Sequence, residues 1–402
     1  MLSQQTMTII QSTAPVLAEH GVAITDRFYH LLFSAHPALK HIFNMSNQSE
    51  GTQKKALAQA VYSYAQHIDR LADLLPLVER IAHKHASLGI LPEHYPIVGK
   101  YLIEAIQDVL QDAFTDEIKA AWVEGYQMLA DILIAREEQI YSEKESELGG
   151  WRATREFIVK RKVAETALVS SFYLYPKDGQ MPVSFQPGQY VGVYIQDDRL
   201  DYQEIRQYSL SARPELDHYR ISVKREQFNS PEKPDGTISN FLHDHVQEGD
   251  IIRLAPPVGD FYLQKNSQKP VVLISGGIGC TPLVSMLEHL HATNSNRPIT
   301  YIHGTLNSKT HAFKQHIESL ELQMGNLNVI NFYESEEDVG TGNQSGRIDL
   351  SRLVNNEYLH PEAEYYFCGP HPMMKSTYQQ LKALGIPDQQ IHYETFGPSK
   401  VL

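Results

Sequence analysis

Gly276-Gly277-Ile278-Gly279-Cys280-Thr281-Pro282 follows the apolar run Val271-Val272-Leu273-Ile274-Ser275 and precedes a helix-like stretch from Leu283 to His291. A buried strand, a glycine turn and a helix start make a place to hold a dinucleotide. The glycines let backbone N–H groups approach a pyrophosphate, and the helix N-terminus favours its negative charge. The pattern is Gly-x-Gly-x-x-Pro and not the usual Gly-x-Gly-x-x-Gly. Its bland alternative is an ordinary strand-to-helix turn. Read as a dinucleotide turn, it says that the chain handles redox cofactors, and the remaining sequence must supply an electron acceptor.

Two further groups of residues can do chemistry. In the first, Arg206-Gln207-Tyr208-Ser209 ends a polar loop and begins a strand. An Arg can pair with a pyrophosphate, a Tyr can stack on a flat ring, and a Ser can hydrogen-bond a ring nitrogen. Pro187-Gly188-Gln189-Tyr190 lies upstream, and Thr237-Ile238-Ser239-Asn240-Phe241-Leu242 offers a second capped helix start for phosphate. Cys368-Gly369-Pro370 follows the strand-like Tyr365–Phe367. In the second group, His85 sits on an apolar helical stripe, where a lone histidine is often only a packing residue. Gln53 lies one turn before Leu57 on one helix face, Tyr29 lies on an earlier helix, and Phe43 follows a helix break at Lys40-His41-Ile42. A histidine, an aromatic wedge and a polar pair opposite make a haem pocket for a diatomic gas. Tyr95 and Glu137 are polar groups on the inward faces of two late helices, where a buried carboxylate is costly without a partner.

Three textures along the chain must position these groups. Residues 1 to about 145 read as helices only. Thr25-Asp26 caps a helix through Phe28, Tyr29, Leu32 and Phe33 that Pro37 ends. Apolar stripes follow at Leu57, Val61, Tyr64 and Ile68; at Leu71, Leu74, Val78, Ala82 and His85; at Tyr95, Leu102, Ile106 and Val109; and from Trp122 through Tyr126, Leu129 and Leu133 to Ile140. Ser142–Gly150 reads as a linker. From Trp151, short β-rich segments at 156–162, 168–175, 190–195, 207–211, 219–223 and 251–254 suggest an antiparallel barrel. From about residue 268, strands at 271–275, 299–304, 328–333 and 365–368 alternate with helices, as in a parallel α/β domain. Asn229–Gly236 reads as a surface loop. The resulting fold class is multidomain: an all-α domain over 1–141, a linker over 142–150, an antiparallel β-barrel domain over 151–264, and an α/β parallel-sheet domain over 265–402.

Composition narrows the function. A length of 402 residues calls for two or three cores. A net charge of −13 disfavours nucleic acid and anionic membranes as partners. Cys280 and Cys368 are the only cysteines, so a disulfide framework is excluded and a reducing, cytoplasmic setting is expected. They are not spaced as a redox pair, and no metal is assigned to them. Residues Met1 to Gln11 show no secretory signal, and no apolar run reaches the ~18–20 residues of a membrane span.

The barrel and nucleotide motifs, in this order, resemble the ferredoxin-NADP-reductase family, an FAD-binding barrel followed by a pyridine-nucleotide domain. The helical part resembles a globin. Joined in one chain they resemble the bacterial flavohaemoglobins, over essentially the whole length, through Ile42-Phe43-Asn44-Met45-Ser46-Asn47-Gln48, Lys84-His85, Tyr95-x-Ile97-Val98-Gly99, Arg206-Gln207-Tyr208-Ser209 and the ending Phe396-Gly397-Pro398-Ser399-Lys400-Val401-Leu402. The resemblance implies haem b, FAD and NAD(P)H as cofactors, and nitric oxide dioxygenation in NO detoxification: NO and O2 become nitrate. It implies that His85 ligates the haem iron and Phe43 packs on the haem. Tyr29 donates a hydrogen bond to O2 held there, and Gln53 and Leu57 shape the distal side. It implies that Tyr95 and Glu137 form a proximal network with His85, where the residues alone also allow a plain Tyr–Glu packing bond. Tyr190, Arg206, Gln207, Tyr208, Ser209 and Ser239 would hold FAD. Gly277, Ile278, Gly279, Cys280, Thr281 and Pro282 would hold the dinucleotide, with Cys368, Gly369 and Pro370 near the nicotinamide. Glu394, Thr395, Phe396, Gly397 and Pro398 would belong to a C-terminal segment that contacts the flavin. Lys84 and Glu394 would lie where globin and reductase meet; otherwise they are ordinary surface charges.

Two other readings stay open at this point. One is a globin that stores or senses O2, or holds a lipid in its distal pocket. The other is an NAD(P)H-driven reductase or oxidase acting on ferric iron, quinones or hydroperoxides. Ser308 and Lys309 are weak candidates for a 2′-phosphate site, so NADH is favoured over NADPH, and the default oligomeric state is a monomer.

Overall fold

The computed structural model describes residues 2–45, 51–228, 230, 234–335, 340, 343–354 and 358–397. Ser46-Asn47-Gln48, residues 229 and 231–233 of the 229–236 loop, and Pro398 with the terminal residues after it lie outside the described residues. Contacts divide the chain into two units. One comprises Met1–Ser146, Trp151–Ala153 and Gly192–Arg206; the other comprises Glu147–Gly150, Thr154–Val191 and Gln207–Leu402.

The first unit is helical through α1 (Gln4–Ser12), α2 (Ala14–Ala35), α3 (Thr52–His67), α4 (Leu75–Leu88), α5 (His94–Leu110) and α6 (Asp116–Ser146). Phe28, Leu32, Tyr64, Ile68, Leu102, Ile106 and Trp122 meet in its core. Helix α1 was not among the expected stripes. Thr25 does not cap a helix: α2 begins eleven residues earlier, at Ala14 with Pro15 in its first turn, and the buried Thr25 hydroxyl donates to Val22 O at 3.1 Å. A threonine inside a helix can satisfy its hydroxyl this way, which hides the cap-like spelling. The expected linker also shortens, because α6 continues through Ser146. Bonds from Gln139 to Glu143 and from Ser142 to Glu138, four residues apart, hold this polar, exposed stretch helical.

Six antiparallel strands follow: β1 (Arg155–Ala164), β2 (Val169–Pro176), β3 (Tyr190–Ile195), β4 (Glu204–Ser209), β5 (Tyr219–Lys224) and β6 (Ile251–Leu254), with α7 (Thr237–His245) between β5 and β6. Their order is β4-β3-β6-β1-β2-β5. An antiparallel bridge between Leu210, just past β4, and Ile221 of β5 ties the two end strands together, as a barrel requires. Strand β4 starts at Glu204, three residues before the expected Gln207, because the polar spelling Glu-Ile-Arg-Gln obscures its alternation.

The last layer is a parallel sheet of β7 (Val271–Gly276), β8 (Ile299–Thr305), β9 (Leu327–Tyr333), β10 (Gln344–Ser345), β11 (Glu364–Cys368) and β12 (Ile391–Glu394), ordered β10-β9-β8-β7-β11-β12. Both faces are covered, which is why β7 reads as a continuous apolar run. On one face α8 (Cys280–Ala292) and α9 (Lys314–Gln323) pack Leu283, Leu287, Ile317 and Leu320 on Leu273 and Tyr301. On the other, Met374 and Leu381 of α10 (His371–Ala383) meet Ile274, Ile302 and Phe367. Edge strands β10 and β12 were not expected. At the C-terminal ends of the strands, Glu394, Cys368, Ser275, His303 and Asn331 stand in register across β12, β11, β7, β8 and β9. This polar row lies on the sheet face that α8 covers, at the edge where open α/β sheets bind ligands.

Candidate functional site

In the helical unit, α4, α5 and α6 bring His85, Tyr95 and Glu137 together. His85 Nδ1 lies 2.7 Å from Glu137 Oε1 and 3.1 Å from the Tyr95 hydroxyl, and Tyr95 donates to the same carboxylate oxygen at 2.5 Å. Glu137 is 2% exposed, so this carboxylate depends on those two donors. Burial, then the Glu137 charge, push the Tyr95 phenol far above its ordinary pKa, so it remains a donor. Tyr126 of α6 donates to Tyr95 O at 2.7 Å, and a Cβ on Gly99 would fall 2.3 Å from the Tyr126 ring. Gly99 is therefore what lets Tyr126 reach under α5. Tyr126 was read only as part of an apolar stripe; the Tyr95-to-Gly99 spacing was its available signal.

With Nδ1 facing a carboxylate, the His85 proton sits on that nitrogen and Nε2 keeps its lone pair for a metal. Among the described residues no three His, Cys, Asp or Glu side chains form a metal cage, so protein side chains alone do not enclose an ion. One axial imidazole fits a haem. On α2, Tyr29 is buried and packs at 5.8 Å edge-on to Phe43 and at 5.7 Å on Phe33. Helix α3 packs against α2 and carries Gln53 and Leu57. Gln53 Oε1 is buried with no hydrogen-bond partner among the described residues, whereas Phe43, Leu57, Val61 and Val98 are only partly buried. An orphaned polar atom beside half-covered apolar side chains fits a pocket for a flat apolar group and a small polar ligand.

The Gly277–Pro282 segment has the strand–turn–helix form expected of it. Gly277–Gly279 forms a single 3-10 turn, and α8 starts at Cys280 with Gly279 as its N-cap and no side-chain cap. Its first N–H groups have no competing side chain, which suits a pyrophosphate. A Cβ on Gly279 would sit 2.4 Å from Cys368 O, so only glycine lets this turn lie against Cys368-Gly369-Pro370. Cys368 and Glu394 are register partners, which carries Glu394, Thr395, Phe396 and Gly397 to the same edge. Three separately expected segments thus converge. Thr281 and Pro282 are buried in the first turn of α8. Both thiols are free and fully buried; burial pushes Cys280 up to about 12 and Cys368 further, so neither is a thiolate at neutral pH.

The barrel residues are also placed. Tyr190 exchanges backbone bonds with Val258, and Ser209 is buried at the end of β4 beside the half-buried Gln207 and Tyr208. Arg206 Nη1 donates to Glu204 Oε2 at 2.7 Å and to Ile205 O at 2.9 Å. Glu204 was missed; its signal was a carboxylate two residues before the arginine on one strand face. Helix α7 starts at Thr237 with Gly236 as N-cap and no side-chain cap, a correction to the capped start expected there. Ser239 donates to Gly236 O at 3.1 Å and accepts from Glu226 N–H at 3.2 Å, which orients the hydroxyl at that helix end. Lys84 stands next to His85 on α4.

Residues 26–133 match the globin family model, and residues 273–379 match the oxidoreductase NAD-binding domain model. A flavohemoprotein of Halalkalibacterium halodurans is 45% identical over 406 residues, covering 100% of this chain and 98% of its own. The flavohemoglobin of Malassezia yamatoensis, solved with bound FAD and heme, is 30% identical with a TM-score of 0.86, covering 98% of this chain and 100% of that one. The flavohem-like FAD/NAD-binding domain of nitric oxide dioxygenase from Vibrio cholerae O1 biovar El Tor is 39% identical with a TM-score of 0.56, over 61% of this chain and 99% of that one. A globin, an antiparallel six-stranded domain and a parallel NAD-binding domain in one chain, matched end to end, place it in the flavohemoprotein family.

Proposed function

We propose that this chain is an NAD(P)H-dependent nitric oxide dioxygenase that detoxifies NO, with haem b, FAD and NAD(P)H as cofactors. One observation carries the reading: the His85–Glu137–Tyr95 triad lies in a globin that shares its chain with an uncapped dinucleotide turn. A protein that only stores O2 needs no continuous electron supply. The cofactors supply electron transfer and oxygen chemistry. The chain's residues bind, orient and exclude water.

His85 Nε2 would hold the haem iron. The Glu137 carboxylate takes the Nδ1 hydrogen bond and makes the imidazole a stronger donor, while Tyr95 holds the carboxylate in place. The Tyr29 hydroxyl would donate toward a bound diatomic gas, and Phe33, Phe43 and Leu57 would keep that pocket water-poor. Gln53 Oε1 is the second polar group there. In the reductase half, Arg206 and the α7 start would hold the flavin pyrophosphate, and Tyr208 and Ser209 its ring. The Gly277–Pro282 turn would hold the dinucleotide, with Cys368, Gly369 and Pro370 toward the nicotinamide and Glu394 to Gly397 toward the flavin. Lys84 would act near the haem, and Glu394 near the flavin. The reducing cytoplasm suits two free thiols.

An NO electrode tests this with purified protein, air and NADH, followed by nitrate analysis. Rapid NO loss that needs both NADH and O2 and yields nitrate is expected. Slow or O2-independent loss, with haem and flavin spectra intact, overturns it. Tyr29→Phe should keep the haem and lower turnover; an unaltered O2 dissociation rate in stopped flow would remove Tyr29 from this role.

A further inference from the structure

Helix α8 carries more than the dinucleotide turn. Its residues Thr281, Ser285 and Glu288 share one face, spaced by four and three, and all three side chains engage or pack inward. Ser285 Oγ donates to Ala212 O at 2.7 Å. The Glu288 carboxylate is 12% exposed and takes three partners: Arg220 Nη2 at 2.7 Å, His316 Nε2 at 2.8 Å, and the Arg213 backbone N–H at 2.9 Å. Arg220 is itself buried on β5, donates to the Ser211 hydroxyl and carbonyl, and lies over the Phe313 ring at 5.0 Å. Burial works against the Glu288 charge, yet His316 and Arg220 hold its carboxyl below the usual range.

These contacts join two places that the chemistry needs in fixed relation. The segment Ser211-Ala212-Arg213 follows Gln207-Tyr208-Ser209, the proposed flavin-ring site at the strand end, with only Leu210 between them. Helix α8 is rigid from Glu288 back to Cys280, and its N-terminus is the dinucleotide turn. A buried ion pair is a weak source of stability, because desolvation offsets its attraction, but it is an exacting ruler of distance and angle. Hydride transfer is sensitive to such placement: an error of about 1 Å can cost roughly a hundredfold.

We infer that Glu288 is a positioning residue for hydride transfer, clasping α8 to the Ser211–Arg213 segment through Arg220 and the Arg213 backbone so that nicotinamide and flavin meet at reacting distance. This rests on the reductase reading above. The step it serves moves one hydride, with its electron pair, from NAD(P)H to FAD, leaving NAD(P)+ and reduced flavin. Glu288 touches neither group.

The test is anaerobic stopped-flow bleaching of the flavin by NADH in the full-length, FAD- and haem-loaded protein. Glu288→Gln should lower the limiting bleaching rate about tenfold or more while the NADH concentration giving half that rate stays within about twofold, since the turn itself is intact. Glu288→Asp, which keeps the charge, should recover part of the rate. A purely structural residue would instead lower FAD content without changing the rate per bound flavin. If Glu288→Gln loads FAD and bleaches within twofold of the parent rate, the clasp does not position the reaction. If Glu288→Gln fails to load FAD, Arg220→Lys is judged by the same rate criterion. Failure of the parent protein to bleach with either NADH or NADPH would overturn the reductase reading itself, and with it this inference.

Discussion

His85 and His303 are both held by Nδ1, but by different kinds of partner. His85 meets a carboxylate at 2.7 Å, while His303 meets the Ser275 hydroxyl at 2.8 Å and stacks on His311, ring centroids 4.3 Å apart. A carboxylate only accepts, so it fixes the His85 proton on Nδ1 and keeps Nε2 basic. A hydroxyl donates or accepts, so it leaves the His303 tautomer open. The side chain of His85 is 31% exposed, whereas His303 is 1% exposed and its Nε2, like that of His311, is buried with no hydrogen-bond partner among the described residues. Under the proposed function, the difference sets the carboxylate-held imidazole of His85 apart from the buried His303–His311 pair. Exposure alone would not have separated them, because a partly exposed histidine is common; the carboxylate does.

The largest effect should come from removing the working imidazole. His85→Ala is expected to abolish the five-coordinate histidine haem spectrum and NO turnover together. A normal ferrous spectrum in that variant would break the comparison at its root.

Lowering pH should then strike the other pair. Burial, with a smaller contribution from Lys314, depresses His311 from 6.5 to about 4, and burial with its neighbour His311 holds His303 well below its ordinary value. The folded pKa lies below the unfolded one. The unfolded chain therefore binds more protons between pH 4 and 6.5, and stability falls as pH falls through that window. His311 alone is worth about 3 kcal/mol across it. Denaturant melts of the full-length protein at pH 7 and pH 4.5 should show that loss, and His311→Gln should flatten the slope. An equal slope in the variant would mean that His311 titrates normally in the fold.

The readable and hidden parts of the molecule divide along physical lines. The Gly277–Pro282 turn and the buried β7 were legible because a parallel strand covered on both faces spells itself as an apolar run. Tyr95 and Glu137 were legible as buried polar groups needing partners. The Thr25 error arose because a threonine bonding back to its own helix spells the same as one capping a helix. Strand β12 escaped because its four residues Ile391–Glu394 include His392, whose polarity is absorbed by Glu364 at 2.8 Å, a partner distant in sequence. The Glu288 clasp escaped for the same reason: Arg220, Glu288 and His316 are each ordinary until the fold gathers them.

Within the working triad the carboxylate should matter more than the phenol. Glu137→Gln keeps the shape but loses the charge on Nδ1, so turnover should fall about ten- to a hundredfold with haem retained. The iron's reduction potential should rise, because a less electron-rich imidazole stabilises ferric haem less. An unchanged potential would reduce Glu137 to a packing residue.

The smallest effect separates placement from charge. Tyr95→Phe removes a donor to Glu137 and leaves the His85–Glu137 contact in place. Its cost should be about 1.5–3 kcal/mol in a denaturant melt, the worth of one hydrogen bond to a charged group. The haem potential should move far less than in Glu137→Gln, since the carboxylate still faces Nδ1. If instead Tyr95→Phe shifts the potential as much as Glu137→Gln does, the phenol sets the charge distribution as well as the geometry. The carboxylate would then no longer be the feature that distinguishes His85 from His303, because a hydroxyl would be tuning both.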